Sequence, residues 1–480
     1  MIQCKADMVL KGATFFYGRK DAGYRVKDIN FVAVKDGRIV GIGKEGEDAA
    51  FTGPDTKVYE FTKDRLIMPG IHDNHVHLLQ AGILSKYADL YSAKTEAEAV
   101  AMAKEYADAH PDDKWIIGIG WSKYAFKGLP TKKSIDAVIS DRPVMLMDDE
   151  LHSAWVNSAA LEIAGITNET PDPDYGEIQR DENGEATGFL YETALSIAAR
   201  IAFDFTDEQV EELVSIYMEK ALRYGITSIT DMTPYLGIDL SYMNAYLKMA
   251  KEDKLKIRIN AALDLFADIE EVVAKRAKAE AEGNGFYRIP FLKQFVDGVP
   301  GNHTALMLEE YSDRPGEKGG ALLDLDRLND AIEAAHLHGM SVRLHACGDA
   351  AVRAALDGYE NAITKYGRGT SKHQVEHIEV INPADIERFA KAGIMASVQP
   401  EHVVSGMPSF SDNNYPDILG PEKTKYTWVF RQLLDTGAVL AGGSDCPVVE
   451  GSPFAGIYSG LERLHDDGTP EGGWNPQEKL

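Results

Sequence analysis

The chain is predicted to be an α/β protein, a (β/α)8 TIM barrel preceded by a small β-rich domain, and three observations predict it. The first 65 residues hold a series of short strand-like pieces. From Met68 onward, apolar runs of five to eight residues alternate with amphipathic helical stretches, the texture of parallel strands with crossover helices. Ten such runs occur, enough for the eight that close a barrel with two to spare.

The small domain, residues 1–65, is read from "ADMVLKGATFF", "NFVAVKDGRIVGIG" and "KVYEF", with "KDG" as a hairpin turn. The barrel, residues 66–465, is built from "LIMPGI", "ITSITDM", "IRINAAL", "FLKQFVD", "SVRLHA", "HQVEHI", "MASVQP" and "VLAGGSD". The two surplus runs, "WIIGIGW" and "PVMLMDD", fall within residues 84–205 beside the turn-rich "TNETPDPDYGEIQRDENGEATG". That stretch is assigned to an insertion after the first barrel strand. One helix shows how the units repeat: "TDEQVEELVSIYMEKALRYG" begins with Thr206 and Gln209 as a capping box and puts Val210, Leu213, Val214, Tyr217 and Ala221 on one stripe. Gly225 ends it as a left-handed cap, and the next strand follows at once.

Composition narrows the partners. Lys plus Arg is 50 and Asp plus Glu is 76 over 480 residues, a net charge of −26. Such a surface repels phosphate backbones and anionic lipid, so nucleic acid and membrane are excluded and a neutral or cationic small molecule is favoured. Cys4, Cys347 and Cys446 form neither a disulfide framework nor a CxxC zinc pattern. The N-terminus has no signal-peptide pattern and no apolar run reaches membrane-spanning length. A soluble, cytoplasmic protein is expected, with a homodimer left open.

"MPGIHDNHVHLL", Met68 to Leu79, carries the first chemical signal. Strand side chains alternate faces, so His75 and His77 project together and can share one metal ion, while His72 points the other way. Lys293 lies in the fourth barrel run, His345 ends the fifth, His377 the sixth and Asp445 the eighth. Barrel active sites form at C-terminal strand ends, so these six residues are expected to converge.

"PGIHDNHVH" resembles the strand 1 signature of the metal-dependent amidohydrolase superfamily. "KQFVDG", "HACGDAAV", "VEHIE", "SVQPEH" and "GSDCPV" resemble its N-substituted formamide deformylase-like branch, and the likeness runs from Ala6 almost to the C-terminus. It implies two divalent metal ions, taken as Zn2+: His75 and His77 bind one with Asp445, His345 and His377 bind the other, and Lys293 bridges them as a CO2-derived carbamate. It also implies a composite, sandwich-like small domain completed by strands beyond "WNPQEKL". Residues 466–480 are accordingly read as a truncated segment, with the small domain incomplete and a sheet edge exposed.

The physics fits that set. An ammonium with a pKa of about 10.4 cannot bind a metal, whereas its carbamate is a bidentate anion. Paired ions bring a shared water toward a pKa of roughly 7 and polarise a carbonyl. Asp445 then moves the proton from the attacking oxygen to the departing nitrogen as base and acid. His152 and His402 resemble positions close to the site and are assigned to catalysis as oxyanion donors. Substrate contacts are assigned to Trp121, Tyr124, His152, Trp155, His303 and His402, although aromatic residues so spaced equally suit a core. Cys347 and Cys446 are read as buried, inert thiols. His72 is expected to pack against the small domain. Arg343 shares a strand face with His345 and is left open between a buried ion pair and a local bulge.

The expected activity is hydrolysis of a C–N bond in a linear, non-peptide amide of the N-substituted formamide or N-acyl amine type. The alternatives are a mononuclear ring deaminase and a non-catalytic small-molecule binder. Deaminases of this superfamily place a glutamate three residues after the fifth-strand histidine, where this chain has Gly348.

Overall fold

A computed structural model of the chain describes residues 5–16, 29–122, 125–126, 128–233, 238, 240–404, 407 and 409–480. It divides into two units, Met1–Ile71 and His72–Leu480.

In the first unit a four-stranded sheet runs in the order Arg38–Gly43, Phe31–Lys35, Met8–Lys11, Lys57–Glu60. The "KDG" hairpin forms as expected: Asp36 and Gly37 both have positive φ, 48° and 71°, which matches the twist of the strands they join. One face packs Ala6, Val9, Phe31 and Ala33 against Phe51. Both outer strands expose apolar side chains, Ile39 at 62% and Tyr59 at 46% among them.

The second unit holds the barrel. Its strands are β1 (Ile71–Val76), β2 (Ile226–Asp231), β3 (Arg258–Asp264), β4 (Tyr287–Phe295), β5 (Ser341–Ala346), β6 (Gln374–His377), β7 (Met395–Val398) and β8 (Leu440–Gly442). All eight lie in one sheet in chain order. A parallel bridge between Val76 and Cys446 and the bond from Asp445 N to the His75 carbonyl at 2.8 Å join the end of β8 to β1 and close the barrel. The helix Asp207–Arg223 before β2 carries the Thr206–Gln209 capping box and buries all five stripe residues named above. Gly225 follows at φ 76°.

Between β1 and β2 the chain builds a separate six-stranded sheet, running from Gly176–Arg180 at one edge to Ala88–Asp89 at the other. The two surplus apolar runs are its strands Ile116–Trp121 and Val144–Asp148. Its core includes Trp121, Trp155, Phe189 and Leu146. No helix among the described residues is long and apolar enough to cross a membrane.

Candidate metal centre

The C-terminal ends of β1, β4, β5, β6 and β8 bring the predicted residues to one place. His77 directly follows β1 and precedes the helix Leu78–Lys86, whose first N–H, on Leu78, donates to Asp231 at the end of β2. That carboxylate anchors the turn carrying the histidine pair. His75 Nε2 and His77 Nε2 each lie 3.2 Å from Asp445 Oδ1. Yet His75 Nε2 and Asp445 Oδ1 are buried atoms without a hydrogen bond. Donor atoms held 2.0–2.1 Å from one tetrahedral zinc ion stand about 3.3 Å apart. Close approach without hydrogen-bond geometry is therefore the arrangement a shared cation needs.

The His377 ring centroid is 4.8 Å from that of His75 and 4.4 Å from that of His345, and its Nδ1 is 3.9 Å from Asp445 Oδ2. His75, His377 and Asp445 offer donor atoms all within 4.8 Å of one another. His345 Nε2 donates to the Gly298 carbonyl at 3.2 Å, which leaves Nδ1 as its lone-pair nitrogen. Cys347 Sγ lies 3.4 Å from the same Nε2, the nitrogen already occupied, and burial holds its thiol well above the ordinary range. Cys446 is likewise pushed up by burial, to about 12. Both thiols are buried and held in the protonated form.

Lys293 is buried in β4 with no hydrogen-bond partner for Nζ, which lies 4.2 Å from the Phe295 ring centroid. Burial lowers its pKa to about 8. A neutral amine is the form that reacts with CO2, and an orphaned buried nitrogen suits a group completed by something the chain itself does not supply. The electrostatics agree. Burial alone would raise the Asp445 carboxyl, but the His75 imidazole beside it holds it well below the carboxylate range. Burial takes His77 down to about 4, leaving it neutral and able to ligate.

Backbone strain collects here too. His377, Ile378 and Asp445 have φ of 72°, 54° and 63°, a left-handed region costing about 1–3 kcal/mol per residue. Adjacent strand residues face opposite sides, yet Glu376 and His377 both reach the centre, because the left-handed turn re-aims His377.

Of the remaining predicted residues, two adjoin the centre. The His152 ring centroid is 5.6 Å from that of His345, and its Nδ1 bonds Glu192 Oε2 at 2.8 Å. Burial would lower His152, but Glu192 lifts it to about 9, a charged imidazolium at neutral pH. His402 Nε2 is buried, without a hydrogen bond, and 3.8 Å from Asp445 Oδ2. Trp121 and Trp155 are wholly buried and pack edge to face in the insertion core, where they fill space instead of walling the mouth. His303 pairs with Asp313 at 2.9 Å within its own loop. Tyr124 lies outside the described residues. His72 has its ring nitrogens 2.7 and 3.1 Å from Ser228 and Thr230 on β2.

Three residues were missed from sequence. Glu376 accepts from His75 Nδ1 at 2.7 Å; burial would raise its carboxyl, but Arg343 and His75 hold it at about 2. Glu192 accepts from His152. Gln399, two positions after the inward-facing Ser397 of β7, is 1% exposed with neither amide atom bonded. Its place at the end of a barrel run, inside "SVQPEH", was the available signal.

Residues 62–468 match the amidohydrolase family. The protein YtcJ of Bacillus subtilis is 32% identical over 97% of this chain and 86% of its own length. The N-substituted formamide deformylase of Arthrobacter pascens is 24% identical, covering 92% of this chain and 81% of its own. An uncharacterized metal-dependent hydrolase from Pyrococcus horikoshii OT3 shares the fold, with a TM-score of 0.76 at 24% identity over 98% of this chain and 89% of that one.

Proposed function

This chain belongs to the amidohydrolase family and is a hydrolase of that metal-dependent superfamily, and from that premise we propose that it cleaves the C–N bond of a linear, non-peptide amide such as an N-substituted formamide. The observation that carries the proposal is Asp445 Oδ1, 3.2 Å from two imidazole nitrogens and bonded to neither. His75, His77 and Asp445 would hold one divalent cation, zinc in this reading, and His345 and His377 a second, with carboxylated Lys293 between them. Bound there, the cations would make hydroxide available near neutral pH and polarise the scissile carbonyl.

The protein's own groups handle binding and protons. Asp445, kept ionised by the His75 imidazole beside it, accepts the proton of the attacking water. It then delivers that proton to the amide nitrogen, which leaves as an amine instead of an unstable anion. His152, charged through Glu192, and His402 stand beside the centre as donors to the developing oxyanion, each worth about 3–4 kcal/mol in comparable holes. The Gln399 amide offers an NH2 donor and a carbonyl acceptor, the complement of an amide group.

The deaminase alternative loses support at Gly348. A Cβ there would stand 2.1 Å from the Leu306 carbonyl oxygen, so no proton-carrying carboxylate fits. The named activity of the Arthrobacter pascens relative supports the formyl group as the acyl part. Cytoplasmic work suits two free, buried cysteines, and since every proposed ligand comes from one chain, a homodimer is compatible with the site without being required by it.

The test is amine release from a panel of aryl and alkyl formamides, with longer N-acyl amines and cyclic amidines alongside. Turnover of the linear amides is expected. Turnover confined to ring substrates contradicts the proposal.

A further inference from the structure

Under the histidines, inside the barrel, lies a polar network that the proposed chemistry does not use. Arg343 is 1% exposed, its guanidinium 4.3 Å from the Phe291 ring centroid. Its Nη1 donates to the Asn74 carbonyl at 2.6 Å and its Nη2 to Asn74 Oδ1 at 2.7 Å. The Asn74 amide donates in turn to Ser397 Oγ at 2.8 Å and Gln374 Oε1 at 3.1 Å. Arg343 Nη1 stands 3.6 Å from Glu376 Oε1, and the other oxygen of that carboxylate is the one 2.7 Å from His75 Nδ1. β1, β5, β6 and β7 are all tied together. The open question about Arg343 is answered by a buried ion pair.

Burying a carboxylate and a guanidinium is costly, and apolar side chains of similar volume would fill the same space at less expense. What they could not do is choose a tautomer. Neutral imidazole carries one proton, on Nδ1 or on Nε2, and only the first arrangement leaves Nε2 free to bind a cation. A carboxylate can only accept, so its bond to Nδ1 places the proton there. For His345 the Gly298 carbonyl does the converse, holding Nε2–H and freeing Nδ1.

We propose that Glu376, anchored by Arg343, is the positioning residue of His75: it fixes the tautomer and ring orientation that aim Nε2 at Asp445, and so sets the affinity of the His75–His77–Asp445 half of the centre. This rests on the reading of the site as a metal centre. Arg343 carries the effect from Asn74, the neighbour of His75 in sequence, so the anchor and the ligand belong to the same strand.

The experiment is zinc binding by competition with a chromophoric chelator, with thermal unfolding of each zinc-free protein in parallel. Glu376→Gln keeps the shape but can present either a donor or an acceptor to Nδ1, and it is expected to weaken one zinc site by about 10- to 100-fold, the usual effect of losing such a partner. Arg343→Met combined with Glu376→Gln leaves no unpaired buried charge. It is expected to unfold near the wild-type temperature and still show the affinity loss, which a merely structural role would not produce. A folded variant of either kind with wild-type zinc affinity at both sites overturns the inference. A wild-type protein that binds no zinc overturns the metal reading itself and this inference with it.

Discussion

Lys293 is the residue on which the proposed centre most depends. An amine buried without a hydrogen bond is unfavourable unless something completes it, and in the proposed centre a carbamate spanning two cations would do so. Lys293→Ala is expected to lose bound metal together with turnover, and short carboxylic acids should restore part of both by standing in for the carbamate. Elemental analysis and amine release check the two halves, and unchanged metal content would remove Lys293 from the site. His152 gives a second prediction. Its pKa is raised to about 9 against an ordinary 6.5, so its ion pair with Glu192 contributes stability that is complete below 6.5 and lost as pH rises through 9. If the imidazolium donates to the oxyanion, kcat/KM should fall over that alkaline range. Glu192→Gln should move the fall toward acid by about one to three pH units, the size of a close-charge effect; an unmoved profile would assign the pair to structure alone.

Elements differ in how much of their role can be read locally. The helix Asp207–Arg223 could be placed from its cap and stripe because both are short-range features, and the same holds for the Asp36–Gly37 hairpin. Thr206 accepts from Gln209 N while Gln209 Oε1 accepts from Thr206 N, so Thr206→Ala removes one bond of the box. The expected cost is about 1 kcal/mol, read as a lower denaturant midpoint with unchanged slope. The histidine, lysine and aspartate set was legible for a related reason: strand ends in a barrel point to one place, so positions along the chain translate into positions in space. Carboxylates behind the ligands were not legible. Glu376 meets His75 across 301 residues, and nothing in "VEHIE" distinguishes it from any strand glutamate. Trp121 and Trp155 failed in the opposite direction, since the spacing that suits a pocket wall also suits a core, and the insertion's own sheet decides between them.

At the scale of the molecule, the barrel is a device for collecting six side chains spread from His75 to Asp445. The insertion contributes the charged His152, placed against β5, while the pairing between β8 and β1 sets Asp445 against the histidine pair. Strain at His377, Ile378 and Asp445, an ion pair buried under His75 and unbonded atoms on Lys293 and His402 are concentrated around this one opening. A fold selected for stability alone would not keep those costs together, and in the proposed function cations plus substrate would offset them. Elemental analysis of protein purified without chelator tests this most directly. The account predicts two divalent ions per chain; a folded protein that takes up none, even when zinc is supplied, would contradict it.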